Sequence, residues 1–307
     1  MTKLNVIIDT DPGVDDIVAI IPALFDQRLN ILLFTTVSGN IDIDQSTKNM
    51  LHVLEVCHKN IPVAKGAEKP LFRAAKDAKF IHGEDGSGKY VIKSEPKTKP
   101  IEKDAVEAMY ETICAHKNDI TILLLGPHTN MAQLLIKHPD VKDMITHVVS
   151  MGTSNYGHKK ITPIVRKKYI SFNASSDPEA LNITLNSGLP ITLIPSEIGR
   201  ASHLSEAQVR EIKKTKIVGN MLYDMLNGYW EPGVKEKVVA MNDTCAVLNL
   251  THPEIFERKK ANIYVNTSKK PGKTVYKFRK DGKVDIVTNV DLDQFYNIFF
   301  TILRKIN

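Results

Sequence analysis

Short apolar runs alternate along the chain with longer segments in which apolar residues recur at helical spacing. The runs predict strands at Val6–Ile8, Ile31–Val37, Ile61–Ala64, Ile120–Leu125, His147–Met151 and Ile191–Ile194. The periodic segments predict helices at Asp15–Phe25, Ile43–His58, Ala105–His116, Asn130–Ile136 and Pro178–Asn186. Such alternation is typical of an α/β fold, in which helices flank a parallel sheet.

The pattern changes after about residue 200, where most segments have helical spacing. Three short runs then predict antiparallel strands at Ala261–Val265, Thr274–Phe278 and Val284–Val287, followed by an amphipathic helix from Asp291 to about Arg304. No repeat or linker divides the chain. We therefore expect a single domain over residues 1–307, with a mostly parallel central sheet and a small antiparallel element near the C-terminus.

Composition and charge indicate which classes of binding partner and which compartment to expect. The net charge is +6, but the lysines are scattered and aromatic residues make up only 7%, so we expect no nucleic-acid partner. No apolar stretch approaches the ~18 residues of a membrane span, and no basic segment followed by an apolar one is visible at the N-terminus, so we expect neither a membrane span nor a signal peptide. Three cysteines lie far apart, which favours reduced thiols and a cytoplasmic location.

A cluster of acidic residues lies where the first predicted strand meets the first helix. Asp9, Asp11, Asp15 and Asp16 fall within eight residues, around a Pro-Gly pair. Carboxylates this close raise one another's pKa unless a cation lies among them, and Ca²⁺ and Mg²⁺ take oxygen ligands. One or two of them could instead be helix caps. Four together favour a ligand site at the carboxyl ends of the strands.

Other polar groups follow other predicted strands at the same edge. Asn40 could bind a sugar hydroxyl through its amide, or belong to an ordinary turn. The backbone carbonyl of Leu125 could be a metal ligand. Asp243 precedes an apolar helix. It would either cap that helix or be a fifth carboxylate of the site.

The segment Gly83–Lys89 nearly spells a phosphate-binding loop. The next residue is Tyr90 rather than Ser or Thr, and no clear strand precedes the segment, so we do not expect nucleoside triphosphate binding. A glycine-rich flap beside a pocket is favoured, with His82 at its base. A histidine in a loop is otherwise more often a surface residue.

Together these residues resemble the inosine-uridine preferring nucleoside hydrolase family. The leading motif is Asp-Thr-Asp-Pro-Gly-x-Asp-Asp, followed by an apolar helix. Later segments keep the family's order: Ser38-Gly39-Asn40, His82-Gly83, Gly126-Pro127-x-Thr129-Asn130, Met151-Gly152, Phe172-Asn173, Asp177-Pro178-Glu179-Ala180 and Asp243. The resemblance implies a single-domain α/β enzyme, a homodimer or homotetramer, that uses bound Ca²⁺ to cut the N-glycosidic bond of a small nucleoside or related N-riboside.

The resemblance also implies roles for the matched residues. The calcium ligands would be Asp11, Asp16, the Leu125 carbonyl and Asp243. Asp11 would also be the general base that takes a proton from a calcium-bound water. The residues that bind ribose hydroxyls would be Asp15, Asn40 and Asn173. The loops that carry His82 and Tyr229-Trp230 would face the base. Because no protein nucleophile is needed, we expect inversion at C1′.

Three positions depart from the family's pattern. Ser171 stands where the family has a Glu, so one ribose-binding carboxylate is absent. Lys160 replaces an Asn. Asn242 replaces a His and cannot donate a proton as a histidine can, so the leaving base needs another activator, such as His82 or water.

These departures leave alternatives open. Lys160 together with Arg166-Lys167-Lys168 would admit a 5′-phosphate if the side chains face the sugar, or would simply be solvated. A catalytically weak nucleoside- or ribose-binding protein on the same fold is a second interpretation. A metal-dependent phosphohydrolase is a third, although the paired Asp15-Asp16 and the later motifs speak against it.

Overall fold

The computed structural model describes residues 3–155, 169–232 and 234–306. Its strands are β1 (Leu4–Thr10), β2 (Leu29–Thr36), β3 (Val63–Lys65), β4 (Thr121–Leu124), β5 (His147–Thr153), β6 (Ile191–Pro195), β7 (Leu204–Ser205), β8 (Val238–Val239), β9 (Phe256–Asn266), β10 (Lys273–Phe278) and β11 (Val284–Val290). In these ranges nine strands form one sheet, ordered β10-β9-β11-β6-β5-β4-β1-β2-β3. The remaining pair, β7 and β8, is antiparallel.

The helices lie between and after the strands. They are α1 (Val14–Phe25), α2 (Ile43–Val56), α3 (Lys79–His82), α4 (Ala105–Ala115), α5 (Thr129–Lys137), α6 (Phe172–Ser176), α7 (Pro178–Leu185), α8 (Ser196–Ala201), α9 (Glu206–Ile212), α10 (Gly219–Leu226), α11 (Asn242–Thr251) and α12 (Leu292–Arg304). None of the described helices is long and apolar enough to cross a membrane.

Strands β1 to β6 are parallel, as the alternating pattern predicts. The expected antiparallel element is also present, but it extends the central sheet instead of standing apart. Strand β11 runs parallel to β6 and antiparallel to β9, and β9 pairs with β10. The mostly parallel α/β fold with a small antiparallel element is therefore confirmed.

Each face of the sheet packs against its own apolar core. In β1, Val6 and Ile8 belong to one core and Ile7 belongs to the other. Because side chains alternate across a strand, a strand with both faces covered reads as an unbroken apolar run. Because β1 is parallel to its neighbours β2 and β4, the carboxyl ends of the three strands meet at one edge of the sheet.

Some boundaries differ from those that the pattern predicts. Helix α2 was expected to continue to His58 but ends at Val56, since the backbone of His58 has φ = 52°, in the left-handed region that ends a helix. Helix α6 and the two-residue strands β7 and β8 were not expected. They are too short to show a hydrophobic period.

Candidate active site

Four of the acidic side chains converge beyond the carboxyl end of β1. Asp11 follows that strand, Asp15 and Asp16 lie in the first turn of α1, and Asp243 lies in the first turn of α11. Helix α1 packs against α11, which brings Asp243 to the others. One carboxylate oxygen from each of Asp15, Asp16 and Asp243 lies within 4.8 Å of the other two.

Asp16 is held by three donors. Its Oδ1 accepts a hydrogen bond from Thr10 Oγ1 at 2.5 Å, and its Oδ2 accepts one from Asn40 Nδ2 at 2.9 Å and one from the Gly13 N–H at 3.2 Å. Burial, helped by the negative charge of Asp15, raises the pKa of Asp16 to about 7 against these hydrogen bonds. Ionisation of Asp16 is therefore disfavoured by its surroundings, and a positively charged ligand would offset that cost.

Asp11 is fully buried, and only one of its two carboxylate oxygens accepts a hydrogen bond from the described residues. Its Oδ2 accepts a hydrogen bond from the Asn40 N–H at 2.7 Å, while no donor among the described residues reaches Oδ1. Two glycines make room for it: a Cβ at Gly39 would lie 2.0 Å from Oδ2, and one at Gly126 would lie 2.8 Å from Oδ1. Burial, and next the charge of Asp16, hold the pKa of Asp11 well above its usual range.

The donor set fits a hard divalent cation. Oδ1 of Asp11 and Oδ1 of Asp15 are buried and have no hydrogen-bond donor in the described part of the chain. Burial and the charges of Asp15, Asp16 and Asp11 raise the pKa of Asp243. Several unsatisfied carboxylate oxygens around one point are the ligands that Ca²⁺ and Mg²⁺ take. The tightest group contains Asp15, which the resemblance assigns to ribose, and does not contain Asp11.

His82 lies at the same site and is buried, not a surface loop residue. Its Nδ1 accepts a hydrogen bond from the Val14 N–H at 3.1 Å and lies 3.8 Å from Oδ1 of Asp15. Burial lowers the pKa of His82 although Asp15 opposes this shift. A neutral histidine does not neutralise the carboxylates, which strengthens the case for a cation.

The residues expected at the sugar also come together. Asn40, Asn173 and Ser171 line a cavity, here called the inner cavity, together with Asp15, His82 and Asp243. Asn173 Nδ2 donates to the carbonyl of Leu125, the expected metal ligand, which also lines the inner cavity. The Nδ2 of Asn40 is used within the carboxylate cluster, by Asp16 and by the Asp11 carbonyl at 3.2 Å.

A second hollow of about 260 Å³ adjoins the inner cavity, and we call it the outer hollow. The two share Ile81, Tyr169, Tyr229 and Asn242. Trp230 lines the outer hollow and not the inner cavity, and the Tyr229 ring lies 5.0 Å from the His82 ring. The Oδ1 of Asn242 is buried without a hydrogen-bond partner in the described ranges.

Two further side chains of the outer hollow were not found by sequence analysis. Arg200 and Glu231 line it, and Arg200 Nε donates to Glu231 Oε1 at 3.0 Å. They lie 31 positions apart, in segments with no recognisable motif, and an isolated Arg and Glu are too common to single out.

Asp9 differs from the other acidic residues of the opening motif. Its Oδ1 accepts hydrogen bonds from Thr35 Oγ1 at 2.5 Å and from Asn130 Nδ2 at 2.7 Å. Burial raises its pKa to about 7 against both of these bonds. Asp9 is therefore placed to tie β1 to its neighbours. Lys160 and Arg166-Lys167-Lys168, expected at the sugar, lie outside the described residues.

Comparisons with known proteins identify the family of this chain. The family model described as inosine-uridine preferring nucleoside hydrolase matches residues 6–297. The chain is 34% identical over 265 residues, 86% of this chain and 84% of the relative, to the non-specific ribonucleoside hydrolase RihC of Salmonella newport (strain SL254). The same identity and coverage hold for RihC of Salmonella typhi.

Solved structures share the fold. A purine-preferring ribonucleoside hydrolase from Gardnerella vaginalis superposes with a TM-score of 0.89 at 25% identity, covering 98% of each chain. The plant nucleoside hydrolase PpNRh1 superposes with a TM-score of 0.87 at 23% identity, covering 98% of this chain and 99% of the other.

Proposed function

Because the chain belongs to the inosine-uridine preferring nucleoside hydrolase family and is thereby an N-glycosyl hydrolase, we propose that it cleaves ribonucleosides in a Ca²⁺-dependent reaction. One observation carries the proposal. One carboxylate oxygen from each of Asp15, Asp16 and Asp243 lies close to the other two, beside a cavity that Asn173 also lines. The unsatisfied Oδ1 of Asp11 lies beyond the end of strand β1. The names of the relatives range from non-specific to purine-preferring, so they do not assign a base.

The calcium ligands in this proposal are Asp11, Asp16, Asp243 and the Leu125 carbonyl, with Asp15 as a further candidate. A bound divalent cation supplies positive charge that lowers the pKa of water and orients it for attack. Calcium suits this set because it accepts many oxygen ligands in flexible geometry. The cation would also remove the mutual repulsion that raises the pKa of these buried carboxyl groups.

Asp11 acts as the general base. Its carboxylate, which the Asn40 N–H holds through Oδ2 and whose Oδ1 has no donor among the described residues, accepts a proton from the attacking water. The neighbouring carboxylates stabilise the positive charge that develops on the sugar as the glycosidic bond breaks. No side chain attacks C1′, so the sugar is released with inverted configuration.

The sugar and the base occupy different parts of the site. Asp15, Asn40, Asn173 and Ser171 are placed to bind ribose in the inner cavity. The base extends into the outer hollow, beside Tyr229 and Trp230. Asn242 lies where the two spaces join, but its amide cannot protonate the base. His82 can assist only as a hydrogen-bond donor while it remains neutral.

Release of free base, followed by chromatography, tests this function. The substrates are purine and pyrimidine ribonucleosides, deoxyribonucleosides and ribonucleoside 5′-monophosphates, each with Ca²⁺ or with a chelator. We expect ribonucleoside cleavage that the chelator abolishes and Ca²⁺ restores. Binding of nucleosides without any base release would reject the proposal. Equal rates with nucleosides and their 5′-monophosphates would reject a phosphate-binding role for Lys160.

A further inference from the structure

The guanidinium group of Arg200 is held in a fixed orientation at the wall of the outer hollow. Its side chain is 7% exposed, and its Nε donates to Oε1 of Glu231, itself 9% exposed. The Tyr169 ring covers one face of the group, with 3.7 Å between Cζ and the ring centroid. Arg200 lines the outer hollow, so we expect its terminal nitrogens, Nη1 and Nη2, to be the donors that a ligand there would meet.

A buried ion pair is often no more stabilising than an apolar wall of the same shape. Burying two charges carries a desolvation penalty that their attraction rarely exceeds, and apolar side chains of similar volume are often as stabilising. Stability alone is therefore a weak reason for a buried Arg200–Glu231 pair. A pair at the wall of a ligand-sized hollow, next to Asn242 and Tyr229, is better explained by recognition.

The geometry points to selection of the base by this pair. We propose that Arg200 makes the enzyme prefer 6-oxopurine ribonucleosides, inosine and guanosine, by donating two hydrogen bonds to O6 and N7 of the base. This inference rests on the proposed function. Glu231 and Tyr169 are positioning residues, because they fix the plane of the guanidinium group.

The hydrogen-bond donors and acceptors of each base determine whether Arg200 can distinguish 6-oxopurines from adenine and pyrimidines. A guanidinium fork matches the two adjacent acceptors O6 and N7 of a 6-oxopurine. Adenine replaces O6 with an amino group, which is a donor and opposes the fork. Pyrimidines have no N7. A site built around paired donors rejects ligands that leave those donors unpaired.

The same contact helps the base to leave. When the glycosidic bond breaks, its electron pair goes to N9 of the purine, and the imidazole ring gains negative charge that N7 shares. A guanidinium at N7 and O6 stabilises that charge without transferring a proton. Arg200 would thus stabilise the leaving base by charge, although neither Arg200 nor Asn242 protonates it.

The test compares leaving groups in the wild type, Arg200→Gln and Arg200→Lys. The measurement is kcat/KM for inosine, guanosine, adenosine, uridine and 4-nitrophenyl β-D-ribofuranoside, which lacks the O6/N7 edge. We expect the wild type to prefer inosine and guanosine over adenosine by roughly 10- to 100-fold, the range of a good bidentate contact. Arg200→Gln should remove most of that preference and change nitrophenyl riboside cleavage less than about threefold. Arg200→Lys should restore only part of it, since it keeps the charge and loses the fork.

Arg210→Gln is the matched control, because Arg210 lies on the exposed surface of α9 in an ion pair with Glu206. It should leave every rate unchanged. The inference is overturned if the wild type shows no preference for 6-oxopurines. It is also overturned if Arg200→Gln lowers all rates equally, the nitrophenyl riboside included.

Two further measurements test the inference if the variant does not fold or if the wild-type protein cleaves no substrate. If Arg200→Gln does not fold, wild-type affinity for 7-deazahypoxanthine, which lacks N7, is compared with that for hypoxanthine: about a tenfold or greater loss is expected, and equal affinity overturns the inference. Wild-type protein that cleaves no substrate at all rejects the proposed function. Calorimetric binding of hypoxanthine against adenine then tests Arg200 alone, and equal affinity overturns the inference.

Discussion

The backbone N–H of Val14 donates a hydrogen bond to Nδ1 of His82 at 3.1 Å. Nδ1 must therefore be unprotonated, and a neutral His82 carries its proton on Nε2. Burial supports the neutral form, because it lowers the pKa of this imidazole. The bond also joins α3, which precedes the glycine-rich segment, to α1, the helix that carries Asp15 and Asp16. His82 lines the inner cavity, and in this neutral form it can donate a hydrogen bond only through Nε2.

Replacing His82 with Asn separates these two roles. In His82→Asn the amide oxygen can still accept the Val14 N–H, but the Nε2–H is lost. We expect kcat/KM for inosine to fall by about tenfold or more, the effect of one lost hydrogen bond of ~1.4 kcal/mol, with little change in Tm. His58→Asn, at a left-handed position outside the site, is the control. Unchanged turnover in His82→Asn would exclude a donor role.

Calcium should stabilise the folded chain through Asp243. A ligand that binds only the folded state at 100 times its Kd raises the free energy of unfolding by about 2.7 kcal/mol. We expect Ca²⁺ to raise Tm of the wild type and a chelator to reverse the shift. Asp243→Asn should abolish the Ca²⁺-dependent part, while Asp293→Asn, exposed on α12, should keep it. An identical Ca²⁺ shift in both variants would place the cation elsewhere.

Gly39 should be intolerant of even one methyl group. The Cβ of Gly39→Ala would lie 2.0 Å from Oδ2 of Asp11, so either the carboxylate or the loop must move. We expect kcat/KM to fall at least about 100-fold, because general-base catalysis contributes roughly that much. The adjacent Ser38→Ala adds no atom and should stay within about threefold of the wild type. Full activity in Gly39→Ala would show that Asp11 need not occupy this position.

Asn130 should matter for stability more than for chemistry. Its side chain donates to Asp9 and to the Thr36 carbonyl and accepts from the Ala67 N–H, all at 2.7–2.9 Å. Asn130→Ala removes these bonds and leaves buried groups unpaired, at about 1–3 kcal/mol for each unsatisfied group. Denaturant unfolding should show a loss of about 3 kcal/mol or more. The same truncation at exposed Asn186 should cost under about 1 kcal/mol.

His128 predicts a pH dependence of stability. Burial lowers its pKa from 6.5 to about 4. Between these values the unfolded chain binds a proton that the folded chain does not, so stability is full above pH 6.5 and is lost as the pH falls toward 4. The loss totals about 3 kcal/mol. His128→Gln, which can keep a bond to Ser150, should gain that amount relative to the wild type between pH 7.5 and 4; parallel curves would contradict this.

The features predicted correctly from the sequence are those that depend on hydrophobic periodicity or on charged residues clustered along the chain. Unbroken apolar runs such as Val6–Ile8 identify strands buried on both faces, and the acidic motif identifies the edge of the sheet where the site lies. Spacing alone could not tell Asp9 from Asp11, because the difference depends on Thr35 and Asn130, donors from other segments. Arg200 and Glu231 meet only through the fold, so no local pattern predicts their contact.

The division between inner cavity and outer hollow bears on how the protein can evolve. The carboxylates of the inner cavity lie at the ends of buried strands and helices, where a change disturbs the core. Phe80, Trp230 and Glu231 of the outer hollow lie in short or irregular segments outside the buried strands. Substitutions there should therefore change base preference while cleavage of the N-glycosidic bond is retained. Substitutions in the two regions should combine additively in the logarithm of kcat/KM wherever the side chains share no contact.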